Sequence, residues 1–208
     1  MTGKRIKNAF STQGRTEEGS YGYYDSGKPI SSATQESDSA AVGGTGHSLT
    51  VPAGDARRLL LAPAANAVEK LFSRGKEENI YLCGVSGYRS YERQEELYRA
   101  KHEKDPREEQ EVLWVAPPGA SEHQTGLALD VSCQEMGYEL EEGFGATKEG
   151  RWLARCAPLF GFILRYPKGK EAITGYGWEP WHIRYVSRSL ALYLTLTGLT
   201  LEEYYEQK

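Results

Sequence analysis

Two short polar segments that lie far apart in the chain place the strongest constraint on its fold. Residues 121–130 read SEHQTGLALD, and 49 residues after Asp130 the segment 179–182 reads EPWH. A catalytic zinc ion takes three His or carboxylate ligands and leaves a fourth position for water, whose pKa falls to about 7. His123, Asp130 and His182 can supply three such ligands. A single ion must touch all three, so the fold has to bring the two segments together.

The residues around the candidate ligands indicate a catalytic base and the backbone shape of each segment. Glu179 lies three residues before His182, where its carboxylate can take a proton from water beside the metal. Pro180 excludes a continuous helix through this segment, which must therefore be extended or turned. Gly126 and Ala128, in the first segment, are small enough for backbone and metal to approach closely.

The composition predicts one folded domain preceded by a tail. The chain has 208 residues, of which 39% are hydrophobic and 26% charged, and this suits a single core. Residues 1–48 contain eight Gly and eight Ser without helical or strand periodicity. We therefore predict a flexible tail or linker over 1–48 and a catalytic domain over 49–208.

The charge balance argues against nucleic acid as a partner. The 25 basic and 29 acidic residues give a net charge of -4, and no run of Lys and Arg is interleaved with aromatic residues. No apolar run approaches the roughly 20 residues that span a bilayer, so no membrane span is expected. The start, MTGKRIKNAF, has basic residues without an apolar stretch behind them, so no export signal is predicted. The cell envelope, for a trimmed form, and the cytoplasm are the two expected compartments.

The cysteines do not predict a disulfide framework. Cys83, Cys133 and Cys156 are odd in number and lack the C-x-x-C spacing of structural zinc clusters. Three buried thiols are expected, and one disulfide with a spare thiol is the alternative in an oxidising compartment.

Helical and strand patterns mix without the regular alternation that a parallel sheet requires. Helices are predicted at 61–73, from 90 to about 104, at 147–160 and 187–196, and after Thr200, which can form a capping box with Glu203. Strands are predicted at 48–51, 80–86, 127–132, 162–166 and 181–186. This order favours the α+β class, with helices packed on a small, mostly antiparallel sheet.

Three segments carry a resemblance to a known family. They are SGYRSYERQEELY at 86–98, SEHQTGLALD at 121–130 and RYPKGKEAITGYGWEPWHIRYV at 165–186. From about residue 49 to its end, the chain resembles the VanY family of zinc D-alanyl-D-alanine carboxypeptidases, which belongs to the wider LAS peptidase group. The family patterns S-x-H-x-x-G-x-A-x-D and E-x-W-H match residue for residue. The resemblance implies a LAS/hedgehog-like zinc peptidase fold.

The resemblance also implies an activity, a cofactor and site residues. His123, Asp130 and His182 would bind Zn²⁺, and Glu179 would be the general base. The reaction would be hydrolysis of the C-terminal D-Ala peptide bond of a peptidoglycan stem peptide or its precursor. Arg89 would stabilise substrate oxygens, and this agrees with the preference of a forked guanidinium for a carboxylate.

Three further side chains are candidates for substrate contact, each with a structural alternative. Gln94 and Ser121 match positions that line the family's site, although purely structural roles explain them about as well. Trp181 can form a wall of the substrate cleft or pack beneath the sheet. The alternative for Arg89 is a surface position at the start of a helix.

Other functions stay open on the sequence alone. The site could act as a D,D-dipeptidase, an L,D-carboxypeptidase or an endolysin-like endopeptidase, because pocket shape decides between these activities. A zinc-bearing module that binds cell-wall peptide without cutting it is a further alternative, although it has no need of Glu179 as a base. In a zinc-free fold the same residues would only pack and form hydrogen bonds. No dedicated interface is indicated, so a monomer is expected.

Overall fold

A computed structural model describes residues 39–41, 52, 54–104 and 115–208 of the chain. These residues form six strands and six α-helices, joined in part by short 3-10 turns. The strands pair in antiparallel fashion. The predicted α+β class, with helices on a small antiparallel sheet, is confirmed. None of the helices in these residues is long and apolar enough to cross a membrane.

The elements follow one another along the chain in a mixed order. The strands are β1 (Ser39–Ala41), β2 (Leu59–Leu61), β3 (Cys83–Ser86), β4 (Ala128–Ser132), β5 (Phe162–Leu164) and β6 (His182–Tyr185). The helices are α1 (Ala62–Glu77), α2 (Tyr91–Lys104), α3 (Lys148–Cys156), α4 (Glu171–Thr174), α5 (Arg188–Thr197) and α6 (Leu201–Glu206).

The main sheet has the strand order β3-β4-β6-β5, so β4 and β6 are its central strands. Asp130 of β4 lies directly opposite His182 of β6. Residues directly opposite each other on antiparallel strands point to the same face, with their Cβ atoms about 4.5–5.5 Å apart. The register of two neighbouring strands therefore brings together side chains from segments far apart in the sequence.

The strand β2 pairs with β1 and also holds two loops of the main sheet. The backbone N–H of Leu61 donates to the carbonyl oxygen of Gly126 over 2.8 Å. The N–H of Tyr88, just after β3, donates to the carbonyl oxygen of Leu59 over 2.8 Å. These two bonds hold the segment that follows β3 and the segment that precedes β4 against β2.

The predictions for the N-terminal part are tested at few residues. β1 lies inside the segment 1–48, which was predicted as a tail, and no strand periodicity indicated it. Residues 1–38 and the predicted strand at 48–51 lie outside the described residues. The domain boundary at residue 49 therefore stays a prediction.

The helix α1 confirms the prediction at 61–73 and continues one turn further. Pro63 lies in the first turn, where a residue without an N–H leaves no hydrogen bond unmade. One face of the helix is apolar and buried in the main core; it consists of Ala64, Val68, Leu71 and Phe72. Burial of each large apolar side chain is worth about 1.5–3 kcal/mol, so this face fixes the helix against the core that it shares with the sheet.

The helix α3 ends earlier than the predicted helix at 147–160. The α-helix stops at Cys156 and the chain continues as the 3-10 turn Ala157–Phe160. Pro158 cannot donate a hydrogen bond to the carbonyl four residues earlier, and its ring clashes with that carbonyl. Gly161, at a φ of 91°, ends the turn.

The helices α5 and α6 form a smaller core with β5. Its buried members are Ile163, Ala191, Leu194 and Leu201. The predicted capping box at the start of α6 is confirmed. The Thr200 hydroxyl accepts from the N–H of Glu203, and the Glu203 carboxylate accepts from the N–H of Thr200.

All three cysteines are free thiols. Cys83 and Cys133 are buried, as expected, whereas Cys156 is half-buried. The expectation of three buried thiols is therefore wrong for Cys156.

Candidate metal centre and active site

The three predicted metal ligands converge in a buried cluster. Ligand atoms of His123, Asp130 and His182 all lie within 4.8 Å of one another. His123 Nε2 is 3.2 Å from Asp130 Oδ2, and His182 Nδ1 is 3.0 Å from Asp130 Oδ1. Each of the three residues is at most 5% exposed. The fold thus brings the two segments together as the ligand hypothesis demands.

A short turn sets the spacing between the first two ligands. His123 lies in the 3-10 turn Glu122–Thr125, which Gly126 ends at a φ of 67°. A Cβ at Gly126 would lie 3.1 Å from the backbone nitrogen of Leu61. The left-handed backbone and the close approach both favour glycine here. The strand β4 follows immediately and presents Asp130 to the cluster.

The second ring nitrogen of each histidine faces an acceptor. His123 Nδ1 lies 2.7 Å from the carbonyl oxygen of Gly87. A carbonyl only accepts, so Nδ1 donates and Nε2 is left free toward Asp130. His182 is turned the other way, with Nδ1 toward Asp130 and Nε2 at 3.6 Å from Glu122 Oε2. Neither that Glu122 oxygen nor His182 Nε2 has a hydrogen-bond partner in the structure.

Burial and charge act differently on the two imidazole rings. Burial lowers the pKa of His123, which favours the neutral ring that a metal requires. Burial would lower the pKa of His182 too, but the contacts with Asp130 and Glu122 outweigh it and raise that pKa to about 9. Burial alone would raise the pKa of Asp130, yet the two rings hold it far below its usual range. Without a metal, the cluster therefore holds a proton on His182 and a negative charge on Asp130.

The donor set fits a zinc ion. Two imidazole nitrogens and one carboxylate oxygen, all buried and close together, are the three-ligand set of catalytic zinc sites. Metal-bound histidines usually donate their second N–H to a carbonyl or carboxylate, and Gly87 and Glu122 occupy those positions here. A divalent cation would take the place of the proton that His182 otherwise holds.

Glu179, the predicted base, lies beside the ligand cluster. Its Oε2 is 3.7 Å from His182 Nδ1, the nitrogen that faces Asp130. Burial raises the pKa of Glu179 from 4.5 to about 7, opposed by His182 and aided by Asp130. A carboxyl group with a pKa near 7 can both accept and return a proton at neutral pH. The N–H of His182 donates to the Glu179 carbonyl over 3.2 Å, so the EPWH segment is turned rather than helical.

Arg89 reaches the cluster from the segment after β3. Its Nη2 is 4.0 Å from Asp130 Oδ2 and donates to Ser86 Oγ over 3.3 Å. Its Nη1 donates to Gln94 Oε1 over 2.9 Å, and Gln94 Nε2 donates to the carbonyl oxygen of Ala116 over 2.6 Å. Both ends of the Gln94 amide are thus used inside the protein, where they brace Arg89. A direct contact between Gln94 and substrate stays a prediction.

Ser121 and Trp181 are both buried. Ser121 precedes the turn that carries His123, is 4% exposed, and makes no capping hydrogen bond with its hydroxyl. Trp181 belongs to the main hydrophobic core, which agrees with the packing role that the sequence left open. Substrate contacts of these two residues stay predictions.

Sequence reasoning missed two residues beside His182, the half-buried Glu122 and the buried Arg165. Glu122 contacts Arg165, with 2.7 Å between Nε and Oε1, and Arg184 Nη1 lies 3.5 Å from its Oε2. Burial would raise the pKa of Glu122, but the two guanidinium groups outweigh it and hold the pKa well below its usual value. Arg165 also donates to Glu202 of α6. The one sequence signal for Glu122 is its position next to a candidate ligand.

The comparisons with known proteins agree with this geometry. The VanY family, described as D-alanyl-D-alanine carboxypeptidase, matches residues 57–188. The protein YodJ of Bacillus subtilis (strain 168) is 47% identical over 152 residues, which cover 73% of this chain and 55% of YodJ. The chain therefore spans about half the length of this curated relative.

Two solved structures are similar to this fold. The structure of the LdcB LD-carboxypeptidase has 42% sequence identity and a TM-score of 0.75, and the match covers 82% of this chain and 78% of LdcB. A mutant of the vancomycin resistance D,D-pentapeptidase VanY in complex with Zn(II) has 33% identity and a TM-score of 0.62, and the match covers 74% of this chain and 86% of that one. With the family match over residues 57–188, the chain belongs to the VanY family of D-alanyl-D-alanine carboxypeptidases.

Proposed function

We propose that this chain is a zinc peptidase that hydrolyses the C-terminal D-Ala peptide bond of a peptidoglycan stem peptide. The observation that carries the proposal is the cluster of His123, Asp130 and His182 within 4.8 Å, with the Glu179 carboxylate 3.7 Å from His182 Nδ1. A site that only binds has no need of a buried carboxylate with a pKa of about 7 beside its ligands. The geometry therefore supports hydrolysis over binding alone.

Glu179 performs the proton transfers. His123, Asp130 and His182 would hold Zn²⁺, which when bound polarises the scissile carbonyl and lowers the pKa of water. Glu179 accepts the proton of the attacking water and then returns it to the leaving amine of D-Ala. One carboxylate can serve both steps, because burial raises the pKa of Glu179 and so brings its neutral form within reach.

Arg89 supplies a fixed positive charge for the substrate. Its guanidinium is held by Gln94 and Ser86, and its side chain keeps 19% of its surface exposed. A guanidinium can bind the terminal carboxylate of a peptide through two parallel hydrogen bonds, or stabilise the oxyanion that forms during attack. The first contact would favour substrates that end in a free carboxylate, and the second would lower the barrier to attack on the scissile carbonyl.

A second candidate function is L,D-carboxypeptidase activity on tetrapeptides. The likeness to the LdcB LD-carboxypeptidase favours it, whereas the family match and the likeness to the D,D-pentapeptidase VanY favour the first candidate. Both activities use the same ligands and the same base, so the difference lies in the pocket for the penultimate residue.

The test is release of D-Ala from pentapeptide, tetrapeptide and free D-Ala-D-Ala, measured in parallel with zinc-loaded protein. We expect the pentapeptide to react fastest. A preference for tetrapeptide would establish the L,D activity, and reaction of the free dipeptide alone would establish a dipeptidase. Glu179→Gln should still bind one zinc ion per chain but lose turnover by a factor of at least about 100. Zinc binding without hydrolysis of any peptide would instead indicate a binding module.

We further propose that the protein acts in the cell envelope, on finished wall peptides, as a monomer. The substrate class supports the compartment, because the stem peptides of the finished wall lie there. Cell fractionation of the native full-length product tests the location, and light scattering tests the oligomeric state. Recovery in the cytoplasmic fraction would indicate action on precursors instead.

A further inference from the structure

Glu122 is half-buried beside the ligand cluster, with its Oε2 atom fully buried, but it has no part in the proposed reaction. Its Oε2 lies 3.6 Å from His182 Nε2, and neither atom has a hydrogen-bond partner in the structure. Buried polar atoms in native proteins are almost always paired. These two atoms face each other just beyond hydrogen-bond length, so a small rotation of the ring or the carboxylate would complete a hydrogen bond between them.

The Glu122 carboxylate is anchored from its other side. Arg165 Nε donates to Glu122 Oε1 over 2.7 Å, and Arg184 Nη1 lies 3.5 Å from Oε2. The Arg165 side chain is 5% exposed and also donates to both carboxylate oxygens of Glu202 on α6. The carboxylate beside His182 is therefore fixed by a guanidinium that is itself tied to the C-terminal helix.

The orientation of the His182 ring makes this contact important. Nδ1 faces Asp130, so the ring can bind a metal through Nδ1 only when its hydrogen lies on Nε2. A carboxylate beside Nε2 accepts that hydrogen and favours this tautomer. His123 achieves the same result with the opposite nitrogens, through its Nδ1 contact to the carbonyl oxygen of Gly87.

We propose that Glu122 is a positioning residue that fixes the ring orientation and the tautomer of His182 for metal binding. The inference rests on the zinc site of the proposed function. Both oxygens of Glu122 face donors, Arg165 at one and His182 with Arg184 at the other. Glutamine has almost the same shape but must turn its amide NH₂ toward one of these donors. Glu122→Gln therefore removes the interaction with little change of packing.

The first test compares zinc affinity by competition with a chromophoric chelator. The proteins are the wild type, Glu122→Gln, Glu122→Ala and the control Glu202→Gln, which removes the outer partner of Arg165 and touches no ligand. We expect one zinc per wild-type chain, affinity about 10–100-fold lower in both Glu122 variants, and a much smaller loss in the control. Thermal unfolding of each metal-free protein verifies that the folded state is being compared.

Three outcomes would overturn the inference. Wild-type zinc affinity in folded Glu122 variants would show that the contact does not position His182. An equal loss of affinity in Glu202→Gln would show a general effect of the ion network. Failure of the wild type to bind zinc would overturn the proposed function as well, so the two failures are distinguishable.

The second test needs no variant and holds even if the Glu122 variants do not fold. In ¹⁵N-histidine NMR spectra of the zinc-loaded wild type, we expect the hydrogen of His182 on Nε2, in slow exchange with water. A hydrogen on Nδ1, or an Nε2 hydrogen in fast exchange, would contradict the proposal.

Discussion

Replacing Glu179 by glutamine should make the metal-free protein more stable while it removes turnover. Glu179 is 8% exposed, and burial raises its pKa from 4.5 to about 7. Unfolding returns the carboxyl group to water and to its ordinary pKa. Above pH 7 the folded state must therefore carry a charge that is more favourable in the unfolded chain, and this lowers the free energy of unfolding.

The size and the pH window of the effect follow from the pKa of Glu179. A rise from 4.5 to about 7 corresponds to about 3 kcal/mol, because each tenfold change in an ionisation constant is worth about 1.4 kcal/mol. Below pH 4.5 the carboxyl group is protonated in both states, so the variant gains nothing there. The gain should grow as pH rises from 4.5 to about 7 and then stay constant.

The assay is urea unfolding of chelator-treated protein, followed by tryptophan fluorescence across this pH range. Glu122→Gln is the matched control, because the pKa of Glu122 is lowered rather than raised. This control should lose stability at neutral pH, and the loss should shrink as pH falls. A gain for Glu179→Gln that does not change with pH, or a loss at neutral pH, would refute the argument from burial.

Four other outcomes are expected. Because the pKa of His182 is about 9 without metal, zinc binding near pH 7 should release about one proton, and zinc affinity should rise about tenfold per pH unit up to about pH 9. Calorimetry in buffers of different ionisation enthalpy measures the number of protons released, and binding without proton release would contradict the prediction. Arg89→Lys should keep the zinc stoichiometry but lower kcat/KM about 10–100-fold, because lysine lacks the forked guanidinium that donates two parallel hydrogen bonds. An unchanged kcat/KM would show that Arg89 does not bind the substrate. Gly126→Ala should lower the free energy of unfolding by about 1–2 kcal/mol, because residue 126 has a positive, left-handed φ and a Cβ there would crowd Leu61. An unchanged free energy of unfolding would refute this prediction. Leu153→Ala, at a fully buried position, should lower the free energy of unfolding measured in urea by about 2–5 kcal/mol. A loss below about 1 kcal/mol would show that the surrounding core relaxes to fill the cavity.

The three residues of the candidate metal site could be identified because each half of the site is local in sequence. Two local patterns can be recognised in the sequence without knowledge of the fold. They are the seven-residue offset from His123 to Asp130 and the pair Glu179 and His182. The sequence did not show that strand register joins the halves, with Asp130 directly opposite His182. The same local character explains why the helix at 61–73 and the capping box of α6 could be predicted from the sequence.

The ion network behind His182 could not be predicted for the opposite reason. Arg165 is 43 positions from Glu122 and 37 from Glu202, and charges at such separations leave no periodic pattern. The sequence does not decide the role of Trp181, because an aromatic side chain beside a site can either form a wall of the substrate cleft or pack in the hydrophobic core. Pro158 marks the end of α3, but a proline near the end of an apolar pattern does not fix the boundary by itself.

The facing positions of Asp130 and His182 have a consequence for the lifetime of the protein. The two residues are 52 positions apart and sit on the two inner strands, so an ion shared between them acts as a removable cross-link in a chain whose three thiols are all free. Loss of the ion would remove that cross-link and with it the stabilisation that a ligand gives to the folded state. Scarcity of zinc would then raise the fraction of unfolded protein that proteases can degrade, as well as stop turnover.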